Sequence, residues 1–298
     1  MHAAGLVRIG ISGWTYPPWR GVFFPPRLAQ NRELEFAANT FPTIEINGTF
    51  YSLQRPSSYH SWAERTPDGF VFSVKAPRYI THMRRLRQIE IPLANFFASG
   101  ILKLGPKLGP ILWQFPPNFS YSPALMESFL QQLPHDSNAA VELGKQHDRM
   151  VEGRSFLEPD LNRTLRHAVE IRHPSFVVPE FIALLRHYQV ALVCADTVSC
   201  PRLMDITADF LYCRLHGSEK LYTSGYCKRD LDQWADRIAT WATGGEAKDG
   251  NRACKTKAPK RKKRDVFVYF DNDAKVLAPH DAKSLQARLS QLLPGAKI

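Results

Sequence analysis

Thr43-Ile-Glu-Ile-Asn47 alternates apolar Ile44 and Ile46 with polar Glu45 and Asn47. Successive side chains of a β-strand point to opposite faces, so this run has one face of each kind. Working outward, six more segments read the same way: Val71-Phe-Ser-Val-Lys75, Ile111-Leu-Trp-Gln-Phe115, Ala168-Val-Glu-Ile-Arg172, Ala191-Leu-Val-Cys-Ala-Asp196, Leu211-Tyr-Cys-Arg-Leu-His216 and Val266-Phe-Val-Tyr-Phe-Asp271. Val7-Arg-Ile-Gly-Ile-Ser12 is a smaller version. One face carries Ile44, Ile46, Phe72, Val74, Trp113, Phe115, Val169, Ile171, Val193, Cys213, Leu215, Val268 and Phe270. The other carries Glu45, Asn47, Ser73, Lys75, Gln114, Glu170, Arg172, Asp196, Arg214, His216 and Asp271. A sheet with one wet face would spread polar residues along each strand, whereas here they gather at the carboxyl ends. Eight such strands predict a (β/α)8 TIM barrel: the apolar face meets the helices, and the C-terminal mouth collects the working groups.

Helical patterns fall between the strands, near 28–40, 59–65, 93–104, 123–133, 139–151, 179–188, 231–242 and 281–293. Strands alternating with helices predict a parallel sheet. A barrel takes about 250 residues, so the 298 residues form one domain, 1–298, with insertions. The chain enters a strand almost at once, without a secretory pattern, and no apolar run reaches the roughly 18 residues that span a bilayer. Five cysteines, Cys194, Cys200, Cys213, Cys227 and Cys254, form no CxxC pair, so reduced thiols and a cytoplasmic location are expected.

The net charge of +11 is unevenly placed. Residues 248–264 hold nine Lys/Arg and one Asp, a net +8 that leaves +3 for the rest of the chain. With Gly, Pro and like charges and no apolar period, 244–264 is expected to be a disordered basic loop before the last strand. Such a tract solubilises a protein, and it also binds nucleic acid or another polyanion without sequence preference.

At the mouth, His216 is the leading proton-transfer candidate because its reference pKa lies near neutrality, with Glu170, Asp271 and Glu45 as carboxylate partners. Lys75, Arg172 and Arg214 are candidate anion binders. Lys75 is also a nucleophile if desolvated. Gln114, His173, His82, Asn47, Asp196, Asn272 and Asp273 are candidates to orient a substrate, and Trp14 and Tyr51 to stack on a sugar or base. Plainer roles exist for each: ion pairs closing the barrel top, turn-forming Asn and Asp, aromatic loop packing. Fixed cations compete with a divalent metal for the carboxylates, so no cofactor is expected; a metal is kept as the alternative. Walker, dinucleotide-binding, HExxH and GxSxG motifs are absent from the sequence.

Gly10-Ile-Ser-Gly-Trp14, Glu45-Ile-Asn-Gly-Thr-Phe-Tyr51, Phe72-Ser-Val-Lys-Ala-Pro77 with Thr81-His82, Gln114-Phe-Pro-Pro117, Glu170-Ile-Arg-His-Pro-Ser175, Arg214-Leu-His-Gly217 and Tyr269-Phe-Asp-Asn-Asp273 together resemble the YecE-like family, domain of unknown function number seventy-two. The resemblance spans about 7–293 and implies a TIM barrel with a working mouth, but no reaction. Phe176 stands where that family has Trp, which is expected to change a stacking surface, and the basic tract looks like an addition.

The expected function is that of an enzyme of hydrolase or phosphodiesterase type acting on a small anionic, phosphate- or sugar-containing substrate. Two alternatives stand beside it. One is a nucleic-acid or polyanion-binding module using 248–264; the other is a metal-independent isomerase or lyase.

Overall fold

The computed structural model describes residues 4–217, 225–272 and 276–298. Eight parallel strands close in sequence order: β1 (Val7–Ser12), β2 (Thr43–Ile46), β3 (Val71–Lys75), β4 (Leu108–Gln114), β5 (His167–Glu170), β6 (Ala191–Asp196), β7 (Phe210–Leu215) and β8 (Asp265–Phe270). The barrel shuts where β8 pairs with β1. Around it run α1 (Glu33–Thr40), α2 (Gly48–Tyr51), α3 (Pro56–Glu64), α4 (Glu90–Ala98), α5 (Pro123–Gln131), α6 (Ser137–Gly144), α7 (Pro179–His187), α8 (Lys228–Ala242) and α9 (Leu277–Leu292). No described helix is long and apolar enough to cross a membrane.

The outward strand residues, among them Ile44, Phe72, Trp113, Val169, Cys213 and Val268, form one core with the helices. The lumen holds a second, smaller cluster that includes Leu112, Ala168, Val193, Phe210, Tyr212, Phe267 and Tyr269. Gly10 is required at its wall, because a Cβ there would lie 1.9 Å from the Thr43 carbonyl oxygen. Lumen polar groups are satisfied in place: Tyr269 Oη lies 2.8 Å from Thr43 Oγ1, and Tyr212 Oη 2.7 Å from Ser73 Oγ.

β6 departs from the expected facing. Val193 belongs to the lumen and Cys194 to the outer core, so Asp196 leaves the barrel on its helix side. The five residues before Asp196 are all apolar, so alternation gives no sign of which face is which. The lumen takes the small ones, Ala191, Val193 and Ala195, beside the bulky Tyr212 and Tyr269. β4 starts earlier than expected, at Leu108, with a register shift opposite Phe72–Val74 that accommodates Gly109 and Pro110.

Residues 244–264 are not the free tract their composition predicts. They have no regular secondary structure, but Ala247, Cys254, Ala258 and Arg264 are buried. Asp205 accepts from the backbone N–H of Ala253 and Cys254 (2.8 and 3.0 Å), and Asp249 pairs with Arg237 (2.6 Å). Lys255, Lys257, Lys260, Arg261, Lys262 and Lys263 remain exposed. The loop leads from α8 into the amino end of β8, so it lies at the opposite end of the barrel from the mouth.

Candidate functional site

β7 carries Arg214 into the top of the lumen, where its guanidinium is 1% exposed. It donates to Glu45 from β2 (Nε to Oε2, 3.0 Å; Nη2 to Oε1, 2.9 Å), to Glu170 from β5 (Nη1 to Oε2, 2.9 Å) and to Asp271 just past β8 (Nη2 to Oδ2, 2.7 Å). Burying charge is costly unless it is paired and hydrogen-bonded, and this fork meets three carboxylates at once. Ser12 Oγ and Tyr212 Oη each donate to Glu45 (both 2.6 Å). Gln114 Nε2 and Arg172 Nε donate to Glu170 Oε1 (2.8 and 2.9 Å).

The network fixes its own protonation. Burial pushes the Glu170 carboxyl up, but Arg214, then Arg172, His216 and Lys75, outweigh it and hold it well below the usual range. Asp271 is held down in the same way, against burial, by Arg214 and His216. The carboxylates pull Arg214 further up than its burial lowers it. Glu170 and Asp271 are therefore fixed anions at physiological pH. His216 lies at the same level, with Nε2 3.3 Å from Arg214 Nη1 and Nδ1 3.1 Å from Asp271 Oδ2.

Above this floor opens a cavity of about 430 Å³ lined by Phe50, Tyr51, Lys75, Arg78, His82, Met83, Gln114 and Arg172. Three of these are cations and none is a carboxylate. Lys75 lies 4.2 Å from the centre of the Phe50 ring. Burial, and next Arg214, bring its ammonium down to about 8, against the pull of Glu45, Glu170 and Asp271. His82 sits on a π-helical turn, Tyr79–Met83, with Nδ1 2.9 Å from Thr81 Oγ1. Burial, then Lys75 and Arg172, lower it to about 4, so it is neutral at pH 7. A larger groove of about 710 Å³ adjoins, sharing Phe50, Tyr51, Arg78 and Met83 and adding Tyr79, Arg84 and Arg154.

All but the first residue of the barrel, mouth included, falls within one family match: residues 8–296 fit the model described as "Protein of unknown function DUF72". The chain belongs to the DUF72 family. The resemblance drawn from the strand-end motifs is thereby borne out. Over 140 residues it is 34% identical to the UPF0759 protein YecE of Escherichia coli K12, covering 46% of this chain and 48% of that protein. Over 122 residues it is 31% identical to the UPF0759 protein YunF of Bacillus subtilis, covering 38% and 41%. The chain thus aligns with about half the length of these curated relatives or less. A DUF72 structure from Thermotoga maritima superposes with a TM-score of 0.71 at 21% identity, covering 96% of this chain and 99% of that one. One from Enterococcus faecalis V583 gives 0.66 at 16% identity, covering 97% and 95%. At these identities the likeness shows the shared barrel.

In this DUF72 barrel, Glu45, Glu170, Arg214, His216 and Asp271 meet in the floor, where Asn47 also reaches Ser12 Oγ (2.8 Å). Lys75, Gln114, Arg172, His82 and Tyr51 line the cavity. The remaining candidates lie elsewhere. Asp196 holds the helix layer instead, accepting from Trp234 Nε1 (3.2 Å), Tyr226 Oη (3.0 Å) and Arg202 (2.8 Å). Trp14 packs edge-on against Trp62 (5.7 Å). His173 Nδ1 accepts from the Ser175 N–H and caps the turn that follows. Asn272 donates to Asp281 of α9 (2.9 Å). Asp273 lies outside the described residues. Phe176 offers no stacking surface to a ligand, since it is fully buried among Phe115, Phe119 and Phe181. Among the described residues no three His, Cys, Asp or Glu side chains converge to hold a metal; the three floor carboxylates converge on Arg214.

Sequence reasoning missed Ser12, Tyr212, Arg78 and Met83. Tyr212 shares the parity of Arg214 on β7, a readable signal. Arg78 begins a stretch, 78–87, with four arginines and no acid. Met83 carries no such mark.

Proposed function

We propose that this chain is an enzyme whose barrel mouth binds the anionic group, phosphate or carboxylate, of a small organic substrate. The observation that carries this reading is the lining: Lys75, Arg78 and Arg172 face the cavity and no carboxylate does. The floor carboxylates lie below the cavity rather than in its lining: Arg214 engages all three and Arg172 Nε pairs with Glu170, while Lys75 and Arg78 keep their charges turned to the cavity. The adjoining groove, with Tyr51, Tyr79 and Met83 exposed, has room for a sugar or other ring. Proton transfer in a hydrolase or phosphodiesterase reaction would fall to the lining groups, neutral His82 and Lys75, rather than to the locked Glu170 and Asp271. The isomerase or lyase alternative asks less of the site, needing an amine and an anion clamp.

The test is thermal stabilisation by inorganic phosphate and by ribose 5-phosphate. Arg172→Ala should weaken binding about tenfold, ~1.4 kcal/mol. Stabilisation that survives unchanged in both Arg172→Ala and Arg78→Ala would place the anion elsewhere. A second reading, polyanion binding by the exposed lysines of 255–263, rests on their lying on a separate face.

A further inference from the structure

We infer that Lys75 is an amine nucleophile that forms an imine with the carbonyl carbon of an anionic oxo compound, a 2-oxo acid or a phosphorylated aldehyde or ketone, seated in the mouth cavity. This rests on the reading of the mouth as an anion site and names its substrate class.

The partners of the three cations at the barrel top, of which Arg214 and Lys75 are buried and Arg172 partly so, set Lys75 apart. Arg214 has three carboxylates and Arg172 has Glu170. Among the described residues Lys75 Nζ makes no ion pair or hydrogen bond; its neighbour is the Phe50 ring, 4.2 Å away. A lysine kept for structure is almost never this buried without a partner, and Lys75 is 9% exposed. It faces the cavity, not the packed core, so burial does not hide the amine from a ligand. Desolvation and a neighbouring cation are the two environments that free a lysine's lone pair near neutral pH, and Lys75 has both. With its pKa brought to about 8, about a tenth of the side chain is neutral amine at pH 7. Arg172 and Arg78 would hold the carboxylate or phosphate, which places a carbonyl on the same small molecule within the cavity.

The step balances without an oxidant or reductant. The Nζ lone pair attacks the carbonyl carbon, a C–N bond forms, and the C=O π pair moves to oxygen, which takes up a proton. Nitrogen releases a proton to give a neutral carbinolamine. Protonation of its hydroxyl then lets one water leave, and the remaining C=N carries the positive charge that the ammonium held before. Neutral His82 is the cavity group suited to accept and return the proton. The iminium draws electrons from the adjacent carbon, the requirement of lyase and isomerase chemistry.

The full chain is incubated with pyruvate, and separately with glyceraldehyde 3-phosphate, in the presence of sodium cyanoborohydride, and adducts are mapped by peptide mass spectrometry. Reduction should leave one dominant adduct on Lys75, at least tenfold above exposed Lys255 or Lys260. Lys75→Arg, which keeps the charge without a nucleophilic amine, should lose it. Phosphate stabilisation of the unmodified chain is measured in parallel. Adducts spread over exposed lysines, with phosphate stabilisation intact, would overturn the imine and leave the anion site standing. Neither adduct nor stabilisation would remove both.

Discussion

Arg214 and Lys75 are neighbouring buried cations at the barrel top and should respond to substitution with opposite signs. Arg214 neutralises buried carboxylates, so Arg214→Met strands them and should lower stability by about 3–5 kcal/mol. Lys75 Nζ has no direct ion pair or hydrogen bond among the described residues, and burial outweighs the pull of the floor carboxylates on it. Its ammonium falls from 10.5 to about 8 on folding, a cost on the order of 3 kcal/mol at neutral pH. A base whose value is lowered in the folded state gains stability as pH rises. Between about 8 and 10.5 the unfolded chain still holds the proton that the folded chain has released. Lys75→Met should therefore melt higher than the parent at pH 7, and this advantage should shrink above pH 8, as read by denaturant titration across pH. A Lys75→Met protein less stable than the parent would mean that the lysine serves the fold.

At the scale of the element, legibility followed chemical contrast. β2 and β7 set Ile or Leu against Glu, Asn, Arg and His, and the faces read from them match the structure at Glu45 and Arg214. β6 has no contrast before its last residue, and there the reading failed, sending Asp196 to the mouth when it holds Trp234 and Tyr226. The π-helical turn that brings His82 to the cavity follows from hydrogen bonding over one residue more than an α-turn, a choice no side-chain pattern announces. The helix expected over 93–104 ends early because Gly100 takes φ 111° and breaks it, at a place where a Cβ would lie 2.5 Å from Pro56 Cα. β1 is limited by space rather than polarity. Gly10→Ala pushes a methyl into the Thr43 carbonyl and should cost roughly 3 kcal/mol, the upper end of overpacking. Calorimetry would show this as a lower melting temperature, and an unchanged one would mean that β1 and β2 can part there.

For the whole molecule, the composition of 244–264 predicted disorder because charge dominates its average. A few small buried residues, Ala247, Cys254 and Ala258, and the caps from Asp205 are enough to pin it. The second reading puts a polyanion on its exposed lysines. Lys260→Glu with Lys262→Glu and Lys263→Glu should reduce retention on RNA or heparin at least tenfold at 0.1 M salt, with the melting temperature unchanged. Retention that persists in this variant would move polyanion binding to the mouth.

The insert and the mouth occupy opposite ends of a barrel whose six-residue strands are about 20 Å long. The Debye length is about 8 Å at physiological ionic strength and about 30 Å at 0.01 M. In dilute buffer the two cationic ends merge into a single attracting field, and an anion is drawn to the molecule as a whole. At cellular salt each end is electrically out of sight of the other, so a polyanion held at one end leaves the pull on a small anion at the other unaltered.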